Sequence, residues 1–115
     1  MDWKYVLFDF DGRINRGKFW LGIGVVWAGV LITATIAALI NSVIIWLLFG
    51  LLYLGTIWVG LALSIKRWHD RDKSGWWIFI AFIPIVGGLW ALIETGFLEG
   101  TKGDNQYGPD PLAGT

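Results

Sequence analysis

The chain has 115 residues, of which 56% are hydrophobic and 16% charged, with nine cations balanced by nine anions. A chain this small leaves much of its surface exposed when folded, so this much apolar area excludes a soluble monomer, and it equally excludes a disordered tail. The zero net charge argues against nucleic acid as a partner, and the lack of cysteine excludes disulfides, thiol chemistry and Cys-ligated zinc.

Charges set the divisions along the chain. Seven lie in 1–18, six in 66–73 and five in 94–115, with none in 19–65 or 74–93. Residues 1–18 mix those charges with Trp3, Tyr5, Phe8 and Phe10, and read as an interfacial segment whose rings sit among lipid headgroups. Within it, Val6-Leu7-Phe8-Asp9-Phe10-Asp11-Gly12 resembles the first motif of the haloacid-dehalogenase-type phosphatases, in which an apolar strand delivers two carboxylates. That fold needs a parallel sheet with crossover helices, whereas the next element here is a membrane helix. No catalytic role is assigned to Asp9 or Asp11.

As one helix, the run 19–65 would be about 70 Å long, more than twice the hydrocarbon core. It is also longer than the apolar core of a cleaved signal peptide, about 7–15 residues. It therefore predicts an antiparallel hairpin: helix 1 over 19–40, a turn at Asn41-Ser42, and helix 2 over 43–65. Either turn residue is suited to cap the second helix. Small residues recur every four positions, as Gly24 and Ala28, Thr33 and Ala37, Ala34 and Ala38, and Thr56, Gly60 and Ser64. Such stripes serve close packing within the bundle or a homo-oligomer seam. No span carries an ionisable residue in its middle, which argues against a pump or transporter built from one copy. An oligomeric pore or carrier would need a polar stripe, and Thr33, Thr35, Asn41, Ser42, Thr56 and Ser64 are the available material.

Residues 66–74 read as a polar loop. Its Lys66, Arg67, Arg71 and Lys73, like Lys4, Arg13, Arg16 and Lys18, predict a cytoplasmic location by the positive-inside rule. If helix 2 continues through it, Lys66 and Asp70 stand at i,i+4 and Arg67 and Asp70 at i,i+3, where ion pairs form. His69 is the only histidine, too few for a metal site. The loop either pins orientation or binds an anion such as a lipid headgroup through Arg67, His69, Asp70 and Arg71. Asp72 or Ser74 begins helix 3, read over 75–93 as a full span kinked at Pro84, with a re-entrant segment as the alternative. In the three-span reading Trp20, Trp76 and Trp77 mark the inner boundary, Trp46 and Trp90 the outer one, and Trp27 and Trp58 pack between helices. The tail 94–115 is turn-rich and lies outside, with Tyr107 in a compact turn docked on the bundle.

Three motifs together resemble a small bacterial inner-membrane family, the domain of unknown function 805. The first is Gly12-Arg13-Ile14-Asn15-Arg16-Gly17-Lys18-Phe19-Trp20; the second is Arg67-Trp68-His69-Asp70 followed by Ser74-Gly75-Trp76-Trp77. The third is Asn105-Gln106-Tyr107-Gly108-Pro109-Asp110-Pro111, and Pro84 matches a proline of the third span. Trp68 departs from a common leucine, and Asp9 and Asp11 acidify a segment that is often basic. The resemblance implies location and architecture, and no activity. It also singles out a polar set, Arg13, Arg16, Arg67, Asp70, Asn105, Tyr107 and Asp110, that can meet at one membrane face only if helix 3 is re-entrant or very short and the tail cytoplasmic.

The expectation is an all-α integral membrane protein of the bacterial inner membrane, a small bundle of three transmembrane helices with an interfacial N-terminal segment, forming one domain. No cofactor and no catalysis are expected. The partners are the lipid bilayer, a second copy through small-residue faces, or another membrane protein. The leading role is interaction or scaffolding, ahead of a pore or carrier and of anionic-headgroup binding through 66–73.

Overall fold

The computed structural model describes residues 2–113; residues 1, 114 and 115, included in the outermost sequence segments, lie outside them. Among the described residues the chain is all-helical, with one isolated bridge, Asn105 to Gly108, and no strand. Helix α1 spans Trp3–Phe8 and starts where the Asp2 carboxylate accepts the Tyr5 N–H. The phosphatase-like run is thus helical, with Asp9 at its C-terminal cap.

Helix α2 runs Arg16–Ile40, three residues earlier than hydropathy alone predicts, because Asn15 caps it through the Lys18 N–H. Asn41 ends it in the left-handed conformation at φ 51°, and Ser42 precedes α3 without a side-chain cap bond. Asn41 therefore stops the first long helix rather than starting the second. Helix α3 spans Val43–Asp70, five residues beyond the predicted end. Charge placed its boundary too early: Lys66, Arg67 and Asp70 are all buried against other parts of the chain, so the helix continues through them. Only 71–74 remain as the expected loop.

Both α2 and α3 are long and apolar enough to cross a membrane. Their outer faces are bare, with Leu39 81% and Leu47 65% exposed. The core lies at one end of the hairpin, where Val6 and Ile14 pack on Phe19 of α2 and on Val59 and Leu63 of α3. Close approach of α2 to α3 depends on Gly22, where a Cβ would lie 2.8 Å from Leu63, and not on Gly24 or Gly60, which face open space. Of the other stripe residues, Ala37 is fully buried.

The predicted third helix is corrected. Gly75–Phe82 forms a 3₁₀ segment started by Ser74, whose side chain accepts the Trp76 N–H. The chain then reverses, and α4 (Val86–Leu92) runs into a π turn, Ile93–Phe97. Proline supplies no N–H to continue a helix. Ile85 takes φ 65° and ψ −68°, and the Val86 N–H donates to the Pro84 carbonyl at 2.7 Å, a γ-turn of the strained positive-φ kind. Gly87 folds back so tightly that a Cβ there would lie 1.9 Å from the Ile80 carbonyl oxygen. Residues 75–97 are therefore a short helical hairpin that leaves and returns at the Asp70 end of α3. The tail begins beside Asp70, not at the opposite end of the molecule.

The tryptophans follow this reversal. Trp46 stays at the Asn41 turn, donating to the Asn41 side chain at 3.3 Å. Trp90, expected at the same far boundary, instead sits 6.1 Å from Trp77. Trp58, expected between the long helices, stacks on Phe10 at 4.5 Å and donates to the Phe8 carbonyl. Trp27 is 54% exposed and not enclosed between helices.

Candidate functional site

The expected polar residues converge at the Asp70 end of α3. Arg67 and Asp70 are one helical turn apart and pair through Nη1 and Oδ2, as the i,i+3 spacing predicts. The other carboxylate oxygen accepts from Arg13, with Nε and Nη2 both at 3.0 Å. Each guanidinium carries five N–H donors in a planar fork. Arg13 directs the rest of its fork at the tail: Nη1 to the Gly103 and Gly108 carbonyls at 2.8 and 3.2 Å, and Nη2 to Thr101 at 2.6 Å. Arg67 reaches the Ile14 carbonyl at 3.1 Å, the Leu98 carbonyl at 2.7 Å, and the Thr95 carbonyl. The Asp70 backbone carbonyl accepts the Thr101 N–H at 2.7 Å. Gly100 leaves no gap here, since a Cβ would stand 2.0 Å from Asp70 Oδ2. One carboxylate thus joins the N-terminal segment, α3, the end of the hairpin and the tail.

The flanking residues extend the clasp. His69 Nδ1 lies 2.9 Å from the Gly12 carbonyl, which makes Nδ1 the protonated nitrogen, and its ring stacks on Tyr107 at 4.0 Å and 4°. Asn105 donates to the His69 carbonyl at 2.9 Å. Asp110 acts on the tail itself, accepting the Gly103 and Leu112 N–H groups, each at 2.9 Å. Those two bonds hold its carboxyl below the usual carboxylate range. The Tyr5 hydroxyl donates to the Arg13 carbonyl at 2.9 Å and accepts the Arg13 N–H at 2.8 Å. Burial pushes this phenol above its ordinary value.

Two expected members lie outside this knot. Arg16 donates to the Phe97 carbonyl at 2.6 Å, and Arg71 donates to Glu94 at 3.4 Å and to the Glu99 carbonyl at 2.6 Å. Glu94 anchors a second cluster that the sequence did not single out. Its carboxylate takes Lys73 at 2.6 Å and the Trp90 indole N–H at 2.9 Å. Lys66 does not use the partner that the i,i+4 spacing allows. It does not reach Asp70; its ammonium binds the Tyr5 and Val6 carbonyls and lies 4.6 Å over the Tyr5 ring.

One rule accounts for a distinct group of these bonds. The last carbonyls of a helix have no partner within it. Lys66 and Trp58 serve those of α1, at Tyr5, Val6 and Phe8. The carbonyls of Thr95, Gly96, Phe97 and Leu98, where the hairpin ends, are taken by Arg67, Trp20, Arg16 and Arg67. The signal was present in the sequence as basic and indole side chains near predicted helix ends. Their partners were hidden because they are main-chain atoms.

Among the described residues no buried side-chain nitrogen or oxygen lacks a partner, and no group of three His, Cys, Asp or Glu side chains is placed to hold a metal ion. The loop cations Arg67, Arg71 and Lys73 contact Asp70, Glu94 and main-chain carbonyls. The hydroxyls of Thr33, Thr35 and Thr56 donate to carbonyls of their own helices.

Known proteins resemble this chain along most of its length. The model of the family described as "Protein of unknown function (DUF805)" matches residues 7–109. Inner membrane protein YhaI of Escherichia coli (strain K12) is 37% identical over 112 residues, covering 92% of this chain and 88% of the relative. Uncharacterized protein YiiR of the same strain is 34% identical, covering 90% of this chain and 86% of its own length. Inner membrane protein YhaH is 31% identical, covering 96% and 97%. No solved structure matches.

Proposed function

Because this chain belongs to the DUF805 family, we propose that it acts as a small multi-pass interaction protein of the inner membrane, a clasped anchor that offers bare helix faces to another membrane protein. In this reading α2 and α3 cross the bilayer, Gly75–Phe97 is re-entrant, and the clasp and both ends of the described chain are cytoplasmic. The observation that carries it is the division of labour between polar and apolar parts. The buried polar atoms of the clasp are all bonded within its own chain, while the flanks of α2 and α3 remain uncovered. Bonds that are all internal favour a fixed shape over turnover. Lipid supplies no hydrophobic drive for helix association, so a partner would dock by close packing, for which Gly24, Gly29, Gly50 and Gly55 leave open notches.

A photo-crosslinking residue at Leu31 or Leu51, 63% and 65% exposed, tests this in native membranes. A discrete protein adduct at one of the two positions is expected. Adducts with lipid alone at both positions would refute the interaction role.

A further inference from the structure

A cleft opens between α2, α3 and the returning hairpin. Two apolar cavities of about 280 and 510 Å³ meet in it, and Ile57, Gly60 and Ser64 of α3 line both. Trp27 lines the first on the α2 side, and Phe82 lines the second on the hairpin side. A Cβ on Gly60 would meet nothing within 4 Å, so the chain's own packing does not use this space. Between membrane-spanning helices, an unfilled apolar hollow forfeits dispersion contacts along its whole lining, and water does not replace them. The bilayer itself supplies an acyl chain to fill such a hollow.

The polar end of the cleft selects what that chain is attached to. Arg16, Trp20, Ile23 and Trp27 follow one another at spacings of four, three and four, which makes one stripe of α2. Arg16 has no carboxylate partner among the described residues; it donates only to the Phe97 carbonyl. The Ser64 hydroxyl has no hydrogen-bond partner among the described residues, and it lies six residues before Asp70, roughly 9 Å along the helix. From the surface inward, the order is cation, free hydroxyl, apolar cleft. A phospholipid presents phosphate, ester and acyl chain in the same order.

We propose that the cleft binds an anionic phospholipid, with one acyl chain against Gly60 and the phosphate beside Arg16. This site is distinct from the 66–73 loop, and it requires neither a particular orientation nor a protein partner.

Native mass spectrometry of the detergent-purified protein, offered phosphatidylglycerol and phosphatidylcholine of identical acyl chains in equal amounts, provides the test. The unmodified protein is expected to retain one lipid and to prefer phosphatidylglycerol. Arg16→Gln keeps a donor for the Phe97 carbonyl but removes the charge, and should lower that preference roughly fivefold. Gly60→Leu should reduce retention of both lipids, whereas Gly24→Leu, also facing open space but outside the cleft, should not. Equal retention of the two lipids, an unchanged preference in Arg16→Gln, or a protein dimer in place of bound lipid would overturn the proposal. If Gly60→Leu does not fold, the Arg16→Gln ratio decides alone.

Discussion

At the scale of single residues, Asp70 carries the most. Its carboxylate compensates two guanidiniums that are themselves out of contact with solvent. Asp70→Asn keeps the shape and removes the charge, leaving Arg13 and Arg67 buried without a counter-ion. Breaking a buried pair from one side costs about 3–5 kcal/mol, well above the roughly 0–1 kcal/mol of an exposed pair such as Lys102 with Glu99. Thermal unfolding in detergent, followed by tryptophan fluorescence, should show a large drop in Tm for Asp70→Asn and almost none for Glu99→Gln. Equal small effects would mean that the clasp is not what holds this end together. The Arg67–Asp70 pair was legible in the sequence, because i,i+3 geometry is local. The Arg13–Asp70 pair was only a conditional reading, because 57 residues separate its members.

At the scale of elements, the tail shows how local chemistry shapes a segment with no regular structure. Asp110 closes residues 103–112 through two backbone N–H groups, and those bonds lower its pKa in the folded state. The sign follows directly: the stabilisation is complete above the unfolded carboxylate value of about 4, and is lost as pH falls through the lower folded value. Amide exchange at Gly103 and Leu112, corrected for intrinsic rates, should show protection that is constant above that range and declines below it. Asp110→Asn should weaken protection at neutral pH; a flat pH profile would rule out this role. The tail turn was readable from its Gly, Pro, Asn and Asp residues. The hairpin at 83–85 was not, because Pro84 indicates a break without giving its angle. The reversal depends on Gly87 meeting the Ile80 carbonyl, a contact absent from any hydropathy pattern.

For the whole molecule, the reversal of the third segment changes the charge asymmetry. In the three-span reading Lys102 lay opposite the other cations. In the folded chain all nine Lys and Arg lie in the segments at the clasp end, and the Asn41-Ser42 turn has none. The molecule extends 50 Å along its longest axis, enough for a bilayer of about 40–45 Å including its headgroups. The positive-inside rule then predicts that the turn faces outward and that the tail shares the inner face with Asp72. The protein has no cysteine, so single cysteines report without background. In intact cells, a membrane-impermeant maleimide should label Ser42→Cys and spare Asp72→Cys and Lys102→Cys. Labelling of Lys102→Cys from outside would restore the three-span topology.

The sequence alone determined the medium and the main frame. Two uncharged runs too long and too apolar for water dictate helices in lipid, and Asn41-Ser42 is the sole adjacent polar pair where the longer run can turn. These are properties of neighbouring residues, which composition and spacing record. Tertiary structure decided where α3 ends, that the third segment folds back, and which groups share Asp70. Each of those outcomes depends on carbonyls and carboxylates brought together from distant positions, and a main-chain oxygen has no letter in the sequence.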